Sequence, residues 1–235
     1  MLGRKQSLVK RIIIFFLDLL FPINCYGCLK GGEYLCDNCF KKLLFQEKKV
    51  SDYKLLRNNL SDIFIAGDYD NKLLAVLIKT FKYKRVKGIG KELAKFLIFF
   101  WEGRLKSFEL ENRNNFLSQA VVIPLPLSTR RKRERGFNQT EIIADFFCQE
   151  FSYSTFLSLK RKHRRKHQAQ LKELDRLRSV GNSFYCSSSE LKKIVNKRII
   201  LIDDVITTGA TLNEAAGFLL KAGAKEVFAL VLAKG

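Results

Sequence analysis

The segment 201–212, with the sequence LIDDVITTGATL, constrains the fold of this chain more than any other. An apolar run leads to two adjacent carboxylates, and a turn rich in Thr then enters a helical pattern. Gly209 allows the backbone to approach a ligand closely, and the free N–H groups at a helix start attract an anion. A strand–loop–helix unit of this kind belongs at the carboxyl edge of a sheet.

This loop predicts a ligand that carries both a phosphate and a sugar. The Thr hydroxyls and backbone N–H groups suit a monophosphate, and the two Asp side chains can accept hydrogen bonds from vicinal sugar hydroxyls or hold a hydrated Mg²⁺. A ribose 5-phosphate is therefore the expected occupant. The alternative is an Asx-type turn that only caps a helix. The candidate ligand residues are Asp203, Asp204, Val205, Thr207, Thr208, Gly209, Ala210 and Thr211.

Strand and helix patterns alternate along most of the chain. Buried-strand patterns occupy residues 62–69, 120–126, 198–204 and 226–233, and helical periods fall at 73–81, 90–101, 138–151 and 208–222. This alternation predicts an α/β fold with a mostly parallel sheet flanked by helices. Because ligands bind at the carboxyl ends of such strands, residues 124–136 and 203–211 mark the expected site.

Two Cys-x-x-Cys pairs near the start of the chain predict a metal site. Cys25 with Cys28, and Cys36 with Cys39, each place two sulfurs on one tight turn, and together they can close a tetrahedral thiolate site for one structural Zn²⁺. Four reduced structural cysteines are the alternative. We expect an N-terminal helix and zinc module over residues 1–50 and a larger domain over 51–235.

The charge of the chain favours a polyanionic partner. Its 235 residues include 43 Lys and Arg against 23 Asp and Glu, a net charge of +20. A positive field of this size attracts nucleic acid, phosphorylated small molecules or anionic lipid. Two basic runs carry candidate contacts to single-stranded DNA or a diphosphate, although each could instead be a solvated surface. These candidates are Arg130, Arg131, Arg133, Arg135, Arg161, Arg164, Arg165 and Lys166.

The first residues combine basic side chains with an apolar run at 12–21. This run is too short to span a bilayer, is interrupted by Asp18, and lacks the small residues of a signal-peptidase site. A helix docked on its own domain is the preferred interpretation, with reversible contact to an anionic leaflet as an alternative. The sequence thus predicts a cytoplasmic protein, with peripheral contact at the inner face of the membrane as an option.

The motifs resemble known families. The segment 201–211 resembles the phosphoribosyl-diphosphate (PRPP) loop of type I phosphoribosyltransferases, and 121–144, VVIPLPLSTRRKRERGFNQTEIIA, is similar to the segment typical of the ComF family of bacterial competence proteins. That family also carries a four-cysteine zinc module at its N-terminus. The resemblance covers nearly the whole chain.

The resemblance implies a type I phosphoribosyltransferase-like fold and a set of ligand contacts. Asp203 and Asp204 would contact the ribose hydroxyls, residues 207–211 would enclose the 5-phosphate, and the loop after Pro124 would face the Mg²⁺-bound diphosphate of PRPP. It also implies a competence protein that handles single-stranded DNA during natural transformation. A DNA-uptake helicase or a recombination mediator would be the protein partner.

An active phosphoribosyltransferase of nucleotide metabolism or salvage is the alternative function, and a PRPP-sensing regulator is a third. Some transferases of this fold place an acidic base where this chain has Thr207, which offers no proton acceptor. Catalytic residues are therefore left unassigned. The net charge of +20 favours the nucleic-acid function, because a small-molecule transferase gains little from it.

Overall fold

The main sheet has five parallel strands in the described part of the chain. The computed structural model describes residues 22–44, 58–107, 120–162 and 183–235. Its strands are β1 (Asp62–Asp68), β2 (Ala120–Pro124), β3 (Ser154–Thr155), β4 (Lys160–Arg161), β5 (Phe184–Tyr185), β6 (Arg198–Ile206) and β7 (Glu226–Lys234). The sheet order is β1-β7-β6-β2-β3, and β4 and β5 form a separate antiparallel pair. The predicted parallel α/β architecture is confirmed.

Seven helices accompany these strands in the described residues. They are α1 (Asp37–Leu44), α2 (Lys72–Lys79), α3 (Ile89–Lys106), α4 (Thr129–Arg135), α5 (Gln139–Phe151), α6 (Ser188–Leu191) and α7 (Ala210–Lys221). A π-helical turn, Thr80–Lys84, continues α2, and a 3₁₀ turn, Lys192–Ile194, continues α6. The helices cover both faces of the main sheet.

Strand side chains alternate between two hydrophobic cores. Ile200 and Ile202 of β6 contribute to the core that contains α2, α3 and α5, whereas Ile199 and Leu201 contribute to the core under α7. A parallel sheet that is buried on both faces needs near-continuous apolar strands, which explains the runs at 199–202 and 227–233.

Two boundaries differ from the predicted ones around the ligand loop. β6 continues past Asp204 to Ile206, because its register with β7 extends to the pair Ile206 and Lys234. Helix α7 begins at Ala210 instead of residue 208, because Gly209 adopts a left-handed conformation with φ of 79° at the N-cap. Both Asp side chains therefore belong to the last part of the strand.

The cysteine module packs directly on the larger domain. Leu35, Phe40 and Leu43 share a core with α3, and Lys95 of α3 lies 3.2 Å from Asp37 and over the Phe40 ring. Gly88 allows Tyr34 to lie against the start of α3, since a Cβ there would be 2.3 Å from Tyr34 Cε2. The predicted division at residue 50 falls outside the described residues and stays a prediction.

Some predicted features lie outside the described residues. They are the N-terminal apolar run at 12–21, most of the polar connection at 51–59, and the second basic run beyond residue 162, including Arg164, Arg165 and Lys166. Within the described parts of the chain, no helix has the length and hydropathy needed to cross a membrane.

A close crossing of α3 over α5 provides a test of the packing. Replacing Gly90 by Ala should destabilise the fold by roughly 1–3 kcal/mol, because the new methyl group would lie 2.7 Å from Ile142 Cγ2 and 2.9 Å from Phe81 Cζ. Gly103→Ala in the same helix is the matched control, since a Cβ there meets nothing within 4 Å. Denaturant unfolding should show a lower midpoint for Gly90→Ala only; equal midpoints would contradict the crossing.

Candidate functional site

The loop after β6 presents hydroxyls and backbone N–H groups at one sheet edge. Thr207 and Thr208 are exposed, and the Oγ1 of Thr208 accepts a hydrogen bond of 3.3 Å from the Ala210 N–H. The first N–H groups of α7 have no partner within the helix and point toward the same edge. This geometry suits an anion, and the roles of the individual loop residues toward a ligand stay a prediction.

Asp204 forms a buried ion pair that the sequence did not reveal. Its Oδ1 lies 2.8 Å from the Nζ of Lys82 in the π-helical turn, and its Oδ2 lies 3.8 Å from the Nη1 of Arg135 at the end of α4. The three side chains are only 11–12% exposed. Lys82, Asp204 and Arg135 thus join three separate segments at the ligand loop.

Asp203 has a different electrostatic environment. Burial is the main cause that raises the pKa of Asp203 to about 7, and the nearby Asp204 carboxylate adds to it. A hydrogen bond of 2.8 Å from the Asp204 N–H to Asp203 Oδ1 has the opposite, smaller effect. The two adjacent carboxyl groups are thus unequal. Asp204 is held by cations, whereas Asp203 can gain or lose a proton near neutral pH.

The basic run at 129–135 forms a short helix that begins after the loop that follows Pro124. Ser128 caps α4 by accepting the Arg131 N–H at 3.5 Å, Arg130 pairs with Glu134 at 2.7 Å, and Gly136 ends the helix with φ of 80°. Because α4 is helical, Arg130, Arg131 and Arg133 are exposed, while Arg135 turns inward to Asp204. The four predicted arginines therefore have two different environments.

A buried polar network fixes the turn between α4 and α5. The carbonyl oxygen of Leu125 accepts hydrogen bonds from Thr140 Oγ1 at 2.8 Å and from Asn138 Nδ2 at 3.3 Å. Gln139 is fully buried, and its Oε1 accepts a hydrogen bond of 3.0 Å from Arg135 Nη1. The polar segment FNQT, buried despite its composition, thereby holds Arg135 in place beside the ligand loop.

Arg161 links the second basic run to the ligand loop. Its Nη2 donates to Thr211 Oγ1 at 3.5 Å, and its guanidinium lies 5.5 Å from the centre of the Phe184 ring. A β-bridge also joins Arg161 to Ser128, directly before α4. Of the candidate cations in the second run, Arg161 is the one that lies in the described residues, and it adjoins both α4 and the loop.

The four cysteines form one compact cluster. The sulfur atoms of Cys25, Cys28, Cys36 and Cys39 all lie within 4.8 Å of one another, with 3.5 Å between those of Cys28 and Cys36. Zn–S bonds of about 2.3 Å would place tetrahedral sulfurs about 3.8 Å apart. The donor set and spacing fit a closed, structural zinc site, as the sequence predicted.

Backbone N–H groups prepare this cluster for a cation. Burial would raise the pKa of Cys25, but hydrogen bonds from the N–H groups of Cys36, Gly27 and Cys28 lower it to about 6. Burial and the neighbouring sulfurs raise the pKa of Cys39 to about 12. A cation bound among the four sulfurs would displace the remaining protons and relieve this crowding.

The fold and the loop define a protein of the phosphoribosyltransferase class. A family profile described as phosphoribosyl transferase domain matches residues 114–235. Among solved structures, the chain is similar to glutamine PRPP amidotransferase from B. subtilis, with a TM-score of 0.39, 17% identity, and coverage of 65% of this chain and 30% of that one. It is also similar to the HGPRT-ase of Leishmania tarentolae, with a TM-score of 0.32, 13% identity, and coverage of 63% and 68%.

The particular family is the ComF family, to which this chain belongs. It is 30% identical over 233 residues to competence protein ComFC of Streptococcus pneumoniae, covering 94% of this chain and 95% of that protein. It is 27% identical over 207 residues to competence protein F of Haemophilus influenzae, with 86% of each chain covered. It is also 29% identical over 161 residues to the DNA utilization protein YhgH of Escherichia coli, covering 66% and 64%.

Removing the cation that holds Asp204 should be costly. Lys82→Met leaves a buried carboxylate with only the more distant Arg135, so we expect a loss of about 3 kcal/mol in unfolding free energy. Lys84→Met, an exposed change in the same turn, should stay within about 0.5 kcal/mol of wild type. The double variant Lys82→Met, Asp204→Asn should recover much of the loss, because the unpaired charge is gone. Equal stability of the Lys82 and Lys84 variants would contradict the buried pair.

The cysteine cluster predicts one tightly held metal ion per chain. Elemental analysis of purified wild-type protein should show about one zinc, and Cys36→Ser should lose it together with thermal stability. Cys186→Ser, a partly exposed cysteine outside the cluster, should keep the metal and the melting temperature. Retention of zinc by Cys36→Ser would show that the four sulfurs do not form the site.

Proposed function

We propose that this protein is a ComF-like competence protein that binds single-stranded DNA, and PRPP or a related ribose 5-phosphate ligand with Mg²⁺, during DNA uptake. The contact between Arg161 and Thr211 carries this proposal, because it brings a basic segment to the ligand loop itself. A nucleic acid and a phosphorylated sugar would then meet on one surface. The names of the curated relatives, competence proteins and DNA utilization proteins, support the role in DNA uptake.

The ligand loop supports the sugar phosphate part of the proposal. The exposed hydroxyls of Thr207 and Thr208 and the start of α7 would hold the 5-phosphate. Asp203 would accept a hydrogen bond from a ribose hydroxyl or from a water of hydrated Mg²⁺. Asp204 would do the same while Lys82 and Arg135 compensate its charge. Arg131 and Arg133 on α4 are the exposed cations available to the diphosphate.

The distribution of charge supports the nucleic-acid part. Helix α4 exposes Arg130, Arg131, Lys132 and Arg133. Of these, Arg130 is paired with Glu134 at 2.7 Å and Lys132 lies 3.9 Å from Glu141. Cations in excess of what a single diphosphate requires suit a polyanion, whose phosphates follow one another along a strand. We propose Zn²⁺ as the ion of the cysteine module, and a DNA-uptake helicase or a recombination mediator as the partner that delivers or receives the strand.

Asp203 favours a second candidate function, an active phosphoribosyltransferase. A carboxyl group with a pKa of about 7 beside the ligand loop is suited to proton transfer at neutral pH. Release of diphosphate from PRPP in the presence of candidate bases, abolished in Asp203→Asn, would establish this activity. Absence of release under conditions where PRPP binds would restrict the protein to binding.

Two variants should separate the two proposed ligands. Thr208→Val removes a hydroxyl from the loop, so calorimetry should show PRPP affinity about tenfold weaker while single-stranded DNA affinity is unchanged. The pair Arg131→Ala, Arg133→Ala should weaken both ligands, and the slope of log DNA affinity against log salt should fall by roughly 0.7 for each DNA phosphate that these arginines neutralise in the wild-type protein.

Binding measurements on the wild-type protein test the sugar phosphate and the DNA assignments separately. No PRPP binding in the presence of Mg²⁺ would overturn the sugar phosphate assignment. No binding of single-stranded DNA at low salt would overturn the DNA assignment.

A further inference from the structure

The π-helical turn presents an aromatic side chain to solvent. Tyr83 is 70% exposed, which makes it the most exposed aromatic residue in the described parts of the chain. Its neighbours in the turn, Phe81 and Lys82, are buried, the first against Phe137 and the second on Asp204. The exposure of Tyr83 therefore follows from how the turn is anchored.

Both ends of the exposed segment are fixed. Lys82 holds one end through its 2.8 Å contact with Asp204. Arg85 holds the other, because it adopts a left-handed conformation with φ of 59° and its Nη2 donates to the carbonyl oxygen of Glu134 at 2.7 Å. Because the backbone on both sides of Tyr83 is anchored, a base that stacks on its ring has less backbone motion to restrict.

One cation contacts this ring and others lie on the same exposed segment. Lys84, Arg85 and Lys87 are exposed on the same segment, and the guanidinium of Arg135 lies 5.7 Å from the centre of the Tyr83 ring. We define the Tyr83 surface as Tyr83 and its three exposed neighbours on this segment, together with the exposed cations of α4, whose last turn is joined to the segment by the Arg85–Glu134 hydrogen bond. Its members are Tyr83, Lys84, Arg85, Lys87, Arg130, Arg131, Lys132 and Arg133.

We infer that the Tyr83 surface binds single-stranded nucleic acid, with one base stacked on Tyr83 and neighbouring phosphates held by the cations. An aromatic platform among basic side chains is the combination that binds single strands without regard to sequence, since every base offers a flat face and every nucleotide a phosphate. A duplex hides its bases in the stack, so it would use the cations but not the ring. This inference rests on the proposed DNA-binding function and specifies where the strand lies.

The surface also connects the strand to the ligand loop. Lys82, directly before Tyr83, is paired with Asp204, and Arg135 contacts both Asp204 and the Tyr83 ring. A ligand that drew Lys82 or Arg135 away from Asp204 would shift the platform. A ligand in the loop and a base stacked on Tyr83 would therefore both affect the cluster of Lys82, Asp204 and Arg135.

Stacking and charge can be separated with two strands of equal length, oligo-dT and an abasic strand that has only the sugar-phosphate backbone. Fluorescence anisotropy at several salt concentrations should show that Tyr83→Ala binds oligo-dT about tenfold more weakly than wild type. Its affinity for the abasic strand, and its salt slope on both strands, should be unchanged. Tyr83→Phe, which keeps the ring, should bind as wild type does.

Matched controls test the assignment to this surface. Tyr185→Ala removes another exposed ring, 44% exposed with Lys162 at 5.7 Å, and should leave oligo-dT affinity unchanged. Lys84→Ala with Lys87→Ala should weaken both strands equally and lower the salt slope by roughly 0.7 for each phosphate that the two lysines neutralise in the wild-type protein.

The outcomes distinguish this inference from the proposed function. Wild-type protein that binds oligo-dT while Tyr83→Ala binds it equally well would overturn the stacking site alone. Equal losses in Tyr83→Ala and Tyr185→Ala would also overturn it, because the effect would not be specific to this surface. No binding of either strand by wild-type protein at low salt would overturn both the inference and the proposed function.

Discussion

The ion pair between Lys82 and Asp204 connects the three segments that form the proposed ligand site. The carboxylate belongs to β6, the ammonium to the turn after α2, and the additional cation Arg135 to the end of α4. Burial makes each of these charges dependent on the others, since a buried charge without its partner is strongly destabilising. The loop, the turn and the basic helix are therefore tied together by one buried cluster of charges.

This arrangement gives the two Asp side chains different tasks. Asp204 is neutralised by side chains of the protein, so a ligand at that position must share or replace Lys82. Asp203 has a raised pKa, which leaves its charge sensitive to what binds beside it. A cation or a sugar hydroxyl near the loop would favour the ionised form of Asp203. Ligand binding at the proposed site is thus linked to release of a proton.

The sequence predicts features whose determinants are close together along the chain. The cysteine cluster follows from two short pairs, and the loop follows from a strand, a Gly and a helix start within one segment. Helix α4 carried recognisable signals, an N-cap at Ser128 and a Gly at 136, which its basic composition obscured. The partner of Asp204 could not be predicted, because Lys82 is one of several lysines in its segment and only the fold selects it.

The position of β7 between β1 and β6 in the sheet has a consequence for how the chain folds. β1 pairs with β7, and β7 pairs with β6. In the described sheet the strand partner of Ile63 is therefore Ala229, which lies near the other end of the chain. Contacts this distant along the chain close large loops and slow folding. During synthesis, the segments of α2, α3 and the cysteine module are made before residues 226–234, which complete the sheet. A metal ion bound by the four sulfurs would stabilise the cysteine module before β7 is available to pair with β1.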